Sequence, residues 1–589
     1  MGDRYQNDAV EYEGNALVNA GPGSGKTRIL VTKVIQELDK LAHRTKMVVA
    51  LTYTNNAAEE ISDRVFSATE DSSQLWSGTI HAFCSRWILK PYSMYIPELE
   101  KGYTVIDKYK SERIKKEIKK EFNVSPYSDI NMTKNYDGNF LNEENKHNEI
   151  AKNYHRYLKT HRLIDYDLIL YYSYKLIEEY PIIAYNLSRI FHYFLIDEYQ
   201  DTREIQYLII GRIIASSKGN CKYFIVGDVN QAIYHSLGGK VKPIDEIEKI
   251  MGNYPLMRFT LYYNYRSSQK IIDFYSQFSC SNHKIESAYP EKYKESIIEV
   301  DKSISKNKLS ERISEIIKKH ILEGVHPNEI CIIAPQWNIL NNTIKEIISE
   351  LPNVKFNASN LTVMSRVPHN IWFKFACLIL TIASPNNYTS RLSKAKDILN
   401  ELDVKFDISF VDNEYTPRMI LNIINSIQIN NKLITHYLEE CFLFIMEKLN
   451  INHEDYKDLV QGWQEYFGAL QRNINNYQFK DLPSDANYIT KMFNSIDGIN
   501  INTIHGVKGK EYHTIIVFGL HEGRIPHWTT INKYPEYRTE ESKKLLYVVC
   551  SRAKVNLYLF AEKDRKTKEG ELYEINSQLN NITTDESSI

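Results

Sequence analysis

The sequence predicts an α/β fold divided among several domains. Near its start, a short apolar strand ("NALVN") runs into a glycine-rich loop and then into a helix whose apolar residues recur at helical spacing ("TRILVTKVIQEL"). Two later apolar runs, "YFLIDE" and "KYFIVGD", end in carboxylates, as buried strands that lead into a site do. A chain of 589 residues is also too long for a single hydrophobic core.

The composition excludes several classes of protein. With 43% hydrophobic residues, 25% charged residues and a formal net charge of -1, the chain resembles an ordinary globular protein, so a polyanion would need a local groove. The seven cysteines are scattered without a CxxC pair, which argues against a zinc site or disulfide framework and favours the cytoplasm. The most apolar window, from Ile371, contains Lys374 and is too short to span a membrane.

The loop "AGPGSGKT" predicts a phosphate-binding site. Its glycines allow successive N–H groups to point inward at phosphate oxygens, a lysine supplies charge, and the threonine hydroxyl can bind Mg²⁺. Its predicted residues are Ala20, Gly21, Pro22, Gly23, Ser24, Gly25, Lys26 and Thr27. The alternative, a flexible glycine turn, is disfavoured by the strand before the loop and the helix after it.

The acidic pair Asp197–Glu198 predicts the other half of a nucleotide site. Asp197 can hold Mg²⁺ through water, and Glu198 can orient and deprotonate the attacking water. A single Asp-Glu pair after an apolar run is common in proteins. The prediction of a nucleotide site is supported by the polar residues that follow the pair: Gln200, Asp201 and Gln206.

Four further segments carry polar groups beside apolar runs. In chain order they place Asp228, Gln231 and Tyr234 after "KYFIVGD"; Asn264, Tyr265 and Arg266 in "RFTLYYNYRSS"; His505, Lys508, Gly509 and Glu511 in "NTIHGVKGKEYHTIIVFGL"; and Arg552 in "EESKKLLYVVCSRAK".

These segments, in this order, closely resemble the motifs of the UvrD/Rep family of superfamily-1 DNA helicases. Two more segments are similar to family motifs, "TYTNNAAEEI" and "GTIHAFCSRW", and Gln6 resembles the family's Q motif. The resemblance implies two RecA-like parallel-sheet motor domains of the P-loop NTPase class, with a helical insertion in each (1B and 2B) and ATP and Mg²⁺ between them. The reduced insertions look similar to the UvrD-like helicase subunit of Gabija-type phage-defence systems.

The resemblance also implies roles at the nucleotide. Gln6 would hydrogen-bond the adenine edge, Tyr265 would stack on the base, Arg28 would lie close to the nucleotide, and Glu511 would contact the ribose. Gln231 would sense the γ-phosphate, and Arg266 and Arg552 would reach it from the second core. Hydrolysis would then depend on closure of the cleft between the cores.

By the same resemblance, a track for single-stranded DNA would consist of Tyr53, Thr54, Asn55, His81, Tyr234 and His505. Each of these could instead be a buried aromatic or a capped polar residue. One segment departs from the family: Ser236 and Leu237 stand where an aromatic residue and an arginine usually follow the tyrosine. This weakens the expectation of processive unwinding more than that of ATP hydrolysis.

The predicted organisation follows the motifs. Residues 1–100 and 160–255 are assigned to core 1A, 101–159 to insertion 1B, 256–385 and 496–565 to core 2A, 386–495 to insertion 2B, and 566–589 to a frayed polar tail. No cluster of carboxylates with a lysine in strand context indicates an attached nuclease domain.

Three functions fit this sequence. The first is an ATP-dependent translocase or helicase that moves 3′ to 5′ on single-stranded or partly duplex DNA, acting with a nuclease partner in antiphage defence. The second is a regulatory ATPase that senses DNA ends or nucleotides without unwinding, which Ser236 and Leu237 favour. The third is a stand-alone DNA repair helicase.

Overall fold

The computed structural model describes residues 2–41, 45–69, 72–106, 108–126, 128–233, 242–281, 283–291, 295–357, 363–364, 370–384, 387–406, 416–475, 484–493, 498–567 and 569–582. Two six-stranded parallel sheets organise this part of the chain, which confirms the predicted fold class. Tyr234, Ser236 and Leu237 lie outside the described residues.

The first sheet has the order β3-β2-β6-β7-β1-β8. Its strands are β1 (Asn15–Ala20), β2 (Met47–Thr52), β3 (Leu75–Thr79), β6 (Phe191–Ile196), β7 (Lys222–Gly227) and β8 (Leu256–Leu261). The central strands are apolar over nearly their whole length because helices cover both faces of the sheet. Strands β6, β7 and β1 are neighbours, so the three loops that leave their carboxyl ends lie side by side.

The helices of the insertion share one continuous hydrophobic cluster with the later helices of the first core, and a second cluster on the opposite face of the sheet contains the first three helices. The core helices are α1 (Arg4–Glu11), α2 (Lys26–Asp39), α3 (Asn55–Ala68), α4 (Ile80–Phe83), α5 (Lys90–Tyr92), α8 (Tyr166–Glu179), α9 (Pro181–Ile190), α10 (Glu204–Ser216) and α11 (Ile244–Ile250). The insertion contributes α6 (Lys108–Glu121) and α7 (Asn145–Thr160), with the short strands β4 (Thr104–Val105) and β5 (Leu163–Ile164) at its base.

The second sheet has the order β11-β16-β15-β12-β14-β13. Its strands are β11 (Ile298–Asp301), β12 (Ile330–Ala334), β13 (Phe356–Asn357), β14 (Ile499–Thr503), β15 (Tyr512–Phe518) and β16 (Ala553–Phe560). Its helices are α12 (Gln269–Ser276), α13 (Leu309–Leu322), α14 (Trp337–Glu350), α21 (Trp528–Lys533) and α22 (Arg538–Cys550). A short pair, β9 (Tyr263–Asn264) with β10 (Glu286–Ser287), lies on the connection between the two cores.

A separate helical cluster is inserted into the second core between β13 and β14. Its helices are α15 (Ile371–Ile379), α16 (Tyr388–Phe406), α17 (Pro417–Asn425), α18 (Ile434–Lys448), α19 (Lys457–Asn475) and α20 (Ala486–Phe493). They close around the fully buried Trp372. Arg113 of α6 forms an ion pair of 2.9 Å with Glu465 of α19, so the two insertions touch.

Two stretches are placed differently from the sequence assignment. The first sheet extends through β8 to Leu261, past the assigned boundary at 255, because β8 pairs with β1 along its full length. The part of the tail that the structure describes, residues 566–567 and 569–582, is packed and not frayed as expected. Leu579 and Asn576 are fully buried against the second core, and Lys302 Nζ donates to three tail carbonyl groups. Apolar anchors among the polar residues of the tail explain this packing.

Candidate active site

The glycine-rich loop lies between β1 and the first turn of α2. Gly23 and Gly25 have φ angles of 67° and 87°, in the left-handed region that favours glycine. A side chain at Gly23 would also collide with Asn264, whose Oδ1 would lie 2.7 Å from the added Cβ. Inside the loop, Ser24 Oγ donates to the Gly21 carbonyl at 2.8 Å. The loop is therefore a compact turn whose backbone N–H groups, with the N-terminus of α2, can bind phosphate.

The connection to the second core clamps this loop from outside. Asn264 Nδ2 donates to the Pro22 carbonyl at 2.8 Å, and the Tyr265 backbone N–H donates to the Gly23 carbonyl at 2.8 Å. Asn264 Oδ1 accepts from the backbone of Arg266 and Ser267. Asn264 had no role in the sequence prediction, although its place beside Tyr265 and Arg266 was a usable signal.

The acidic pair faces the loop lysine across the site. Lys26 Nζ lies 3.8 Å from Glu198 Oε1, and Gln200 donates a hydrogen bond to the same carboxylate. Glu198 has a left-handed backbone with φ 50°, a strained conformation for a residue with a side chain and one often found at functional sites. Burial alone would raise the pKa of Glu198, but Lys26 and Lys508 outweigh burial and lower it to about 2. Glu198 is therefore ionised and able to accept a proton.

Asp197 is the candidate ligand for a divalent cation. Burial, followed by the neighbouring charge of Glu198, raises the pKa of Asp197 to about 7. Thr27, in the first turn of α2, is half-buried. A carboxylate whose ionised form is opposed by burial and by a second carboxylate suits Mg²⁺, whose added charge would favour ionised Asp197.

Gln231 and Arg552 bring the second core to this site. Gln231 Nε2 donates to Asp228 at 2.7 Å, and its Oε1 accepts from Arg552 Nη2 at 2.6 Å. Arg552 lies just beyond α22 and is only 2% exposed; its other partners are the Val548 carbonyl and the Ser551 hydroxyl. In the described part of the chain no carboxylate lies within ion-pair distance of Arg552. Burial lowers the pKa of Arg552 to about 9. The guanidinium is therefore still charged at pH 7 and can bind an anion.

The other two second-core candidates contact each other. Arg266 Nε lies 2.7 Å from Glu511 Oε2, and Arg266 Nη1 donates to the Ser551 carbonyl at 3.0 Å. Lys554 Nζ lies 3.6 Å from the other oxygen of Glu511. Arg266 thus packs on the second core next to Arg552, and Glu511 neutralises it.

The candidate base pocket is built around Gln6. Gln6 is 2% exposed, its Nε2 donates to the Ser24 carbonyl at 2.8 Å, and its Oε1 is buried with no hydrogen-bond partner in the described part of the chain. Because a carbonyl only accepts, the amide nitrogen must face Ser24, which leaves the oxygen as an acceptor. Such an acceptor suits the exocyclic amine of adenine and not the carbonyl of guanine.

Tyr265 and Arg28 lie at the edge of this pocket. The Tyr265 hydroxyl donates to Asp3 Oδ2 at 2.5 Å, and Asp3 also caps α1 by accepting from the Gln6 N–H. The Tyr289 ring packs edge-on to Tyr265 at 5.9 Å. Arg28 is exposed on the first turn of α2. Sequence reasoning missed Asp3, because nothing local to the N-terminus indicates its contact with Tyr265.

A cleft of about 1070 Å³ extends from the acidic pair to the 1B insertion. Of the described residues predicted to bind DNA, Tyr53 and His81 line it, whereas Thr54, Asn55 and His505 lie outside its lining. Tyr53 is 43% exposed, and the Thr54 hydroxyl caps α3. The predicted Tyr234 is outside the described residues.

The cleft also has residues that the sequence reasoning missed. Tyr166, which is 49% exposed, packs edge-on against His81 at 5.7 Å. Burial lowers the pKa of His81 to about 4, so His81 is neutral near pH 7. Lys108 and Lys115 of α6 and Lys533 of the second core add cations to a lining that also holds carboxylates, and Lys533 Nζ lies 2.9 Å from Asp129 Oδ2.

Comparison with known proteins agrees with this arrangement. Residues 3–251 match the family model for the UvrD/REP helicase N-terminal domain, and residues 472–564 match that for the UvrD-like helicase C-terminal domain. Together the two matches span more than half of the chain. The chain belongs to the UvrD/Rep helicase family.

Members of the UvrD/Rep family also match along nearly the full chain. The ATP-dependent DNA helicase PcrA of Staphylococcus epidermidis is 24% identical over 618 residues, which cover 94% of this chain and 82% of the relative. PcrA of Staphylococcus aureus is 23% identical over 616 residues, with the same coverage of both chains.

The two UvrD/Rep matches divide the site between them. The N-terminal match includes Lys26, Glu198 and Gln231, and the C-terminal match includes Glu511 and Arg552. The predicted family is thus confirmed, and the likeness to Gabija-type subunits stays a prediction. Within the described ranges, no helix is long and apolar enough to cross a membrane.

Proposed function

We propose that this chain is an ATP-dependent DNA translocase or helicase that moves 3′ to 5′ on single-stranded DNA. The observation that carries the proposal is the position of Arg552. It is a buried guanidinium with no carboxylate partner among the residues that the structure describes, it comes from the second core, and it contacts Gln231 of the first core. The ATP-dependent DNA helicases to which the chain is similar support the same reaction.

The first core supplies the groups that bind and activate. Lys26 and the loop N–H groups bind the phosphates, and Thr27 and Asp197 hold Mg²⁺, which neutralises phosphate charge when bound. Glu198, ionised and fixed by Gln200, accepts the proton of the attacking water. The Gln6 acceptor selects adenine over guanine as the base.

The second core supplies the charge that completes hydrolysis. Arg552 already lies at the boundary between the two cores, with Gln231 Oε1 as its acceptor, and a phosphate oxygen is a stronger acceptor than an amide. When the two cores close on the nucleotide, Arg552 exchanges Gln231 for phosphate and stabilises the charge that develops in the transition state. ATP turnover is thereby coupled to movement between the cores.

The DNA strand occupies the cleft beside the acidic pair. Tyr53 and Tyr166 offer exposed rings for stacking, neutral His81 lies beside Tyr166, and Lys108 and Lys115 can bind phosphates. With a net charge of -1, affinity must come from these few contacts, so its salt dependence should be shallow.

A regulatory ATPase that senses DNA or nucleotide is the second candidate, and Ser236 and Leu237 favour it, since they replace a stacking ring and a cation. We also propose that a nuclease acts as the partner, in antiphage defence. Both helical insertions are reduced, and the sequence carries no cluster of carboxylates with a lysine in strand context. The remaining candidate is a DNA repair helicase that acts without a partner.

Two assays on the same preparation separate the motor from the regulatory ATPase. ATP hydrolysis is measured with and without single-stranded DNA, and strand displacement is measured on duplexes with a 3′ or a 5′ tail. The motor requires DNA-stimulated hydrolysis and displacement from 3′ tails only. Stimulated hydrolysis without displacement from either tail would establish the regulatory ATPase, and an absence of ATP hydrolysis would refute both functions.

A further inference from the structure

Asp3 lies half-buried immediately before α1 and uses both oxygens of its carboxylate. Its Oδ1 accepts from the Gln6 main-chain N–H at 3.0 Å, which caps the helix, and its Oδ2 accepts from the Tyr265 hydroxyl at 2.5 Å. Capping needs only the first of these bonds, and a serine would supply it equally well. The second oxygen joins α1 to a ring 262 residues away in the chain, which capping does not require.

The Tyr265 ring is held at both ends by the first core. Its main-chain N–H donates to the Gly23 carbonyl of the phosphate loop at 2.8 Å, and its hydroxyl donates to Asp3. Burial, followed by the hydrogen bond to Asp3, raises the pKa of Tyr265, so the hydroxyl keeps its proton and remains a donor. The ring therefore cannot tilt or turn without losing its bond to the Asp3 carboxylate.

The next residue of the chain is bound to the second core. Arg266 Nε lies 2.7 Å from Glu511 Oε2, and Arg266 Nη1 donates to the Ser551 carbonyl at 3.0 Å. The contacts of Tyr265 and Arg266 thus divide between the two cores at a single peptide bond. When the cores move relative to each other, the bond to Asp3 keeps the Tyr265 ring with the first core and with the base pocket around Gln6.

Asp3 fixes the ring beside the helix that carries the Gln6 acceptor. A hydrogen bond is directional, so Gln6 Oε1 can read a base only if the plane of that base is held in register with it. The other end of α1 is anchored independently, because the buried Lys33 Nζ donates to the carbonyls of Val10 and Tyr12 at 2.8 and 2.7 Å. Loss of the second Asp3 bond should therefore release the ring and leave Gln6 in place.

We propose that Asp3 is a specificity-determining positioning residue, which holds the Tyr265 ring so that a stacked base presents its edge to Gln6. This inference rests on the proposed function, because it requires a nucleotide whose base occupies this pocket. An aromatic ring stacks on either purine, whereas the Gln6 acceptor pairs with the amine of adenine and not with the carbonyl of guanine. Asp3 should accordingly contribute to the preference for adenine and not to the chemical step.

The test measures dissociation constants for ADP and GDP by displacement of a fluorescent ADP analogue, together with DNA-stimulated kcat. Asp3→Ser keeps a capping oxygen but is too short to reach the Tyr265 hydroxyl, and Tyr265→Phe keeps the ring but removes the hydroxyl. Each should weaken ADP binding by about threefold to tenfold, as loss of one hydrogen bond does, and GDP binding by less than about twofold. At saturating ATP, kcat should stay within about twofold, because the contact is the same in the ground state and the transition state.

Double variants show whether Asp3 acts through the ring and through Gln6. Asp3→Ser/Tyr265→Phe should bind ADP as weakly as either single variant, because both substitutions remove the same hydrogen bond. In a Gln6→Ala background, Asp3→Ser should change the ratio of the two dissociation constants by less than about twofold.

The matched control is Thr416→Ala, which removes the capping hydroxyl of α17 in the helical insertion. It should lower the unfolding temperature and leave both dissociation constants unchanged. If Asp3→Ser fails to fold, Tyr265→Phe still tests the inference, because it leaves the cap of α1 intact.

Three results would overturn the inference. The first is a folded Tyr265→Phe variant that binds ADP as the parent does. The second is an equal loss of ADP and GDP binding, which would mean that Asp3 supports stacking without setting the preference. The third is additive losses in the Asp3/Tyr265 double variant. A parent that binds neither nucleotide, or that hydrolyses no ATP, would instead remove the proposed function itself, so the two failures are distinguishable.

Discussion

Truncation of Arg552 to alanine is expected to abolish turnover while leaving ATP bound. The guanidinium is 2% exposed, has no carboxylate partner among the described residues, and donates to Gln231 at 2.6 Å. Its pKa of about 9 keeps it charged at pH 7.5. Arginines that meet a transferring phosphoryl group contribute about 10³–10⁵ in rate. We therefore expect kcat to fall about 10³-fold, or about 4 kcal/mol in the activation barrier.

The assay pairs steady-state ATP hydrolysis on single-stranded DNA with equilibrium binding of a fluorescent ATP analogue. Nucleotide affinity should change by less than about tenfold, because the arginine meets most of its charge in the transition state. Arg312→Ala is the control, since Arg312 of α13 forms a half-exposed ion pair with Glu299 of β11. DNA stimulation as strong in the Arg552 variant as in the parent would refute the role, and Arg552 would then be a structural cation at the end of α22.

Three further predictions concern individual side chains. Glu198→Gln should retain ATP binding but lower turnover by about 10²–10⁴-fold, because it removes the general base; near-normal turnover on DNA would contradict the role of the acidic pair. Gln6→Ala should raise KM for ATP by about tenfold and leave the weaker use of GTP unchanged, in line with loss of one hydrogen bond; equal losses for both nucleotides would show that Gln6 does not read the base. Tyr53→Ala should weaken single-strand binding by about 1–3 kcal/mol without lowering the unfolding temperature. Tyr185→Ala, which removes a similarly exposed ring outside the cleft, should leave single-strand binding unchanged. A lower unfolding temperature without a change in affinity would identify Tyr53 as a packing residue.

The parts of this protein that sequence could predict are those in which one short segment carries both structure and chemistry. The phosphate loop joins a strand, glycines and Lys26 within a few residues. The acidic pair follows β6 directly. Both positions follow from local pattern, because the carboxyl ends of neighbouring parallel strands share one edge of a sheet.

The parts that sequence could not predict depend on contacts between distant segments. Strand β8 is an edge strand with an irregular pattern of burial, so its pairing with β1 leaves no periodic signal. The hydrogen bond between Asp3 and Tyr265 spans 262 residues. Packing of the tail depends on Leu579, Ile575 and Ile582, which are isolated apolar residues in a mostly polar segment. Each requires the tertiary fold to be known first.

The central claim is that ATP hydrolysis, divided between two cores, moves this chain along a DNA strand. Displacement of streptavidin from biotin on single-stranded oligonucleotides tests this movement without requiring duplex unwinding. With ATP and Mg²⁺, streptavidin should leave 5′-biotin much faster than 3′-biotin, and the difference should vanish in the Arg552→Ala variant. Rapid DNA-stimulated hydrolysis with no ATP-dependent displacement from either end would contradict the account.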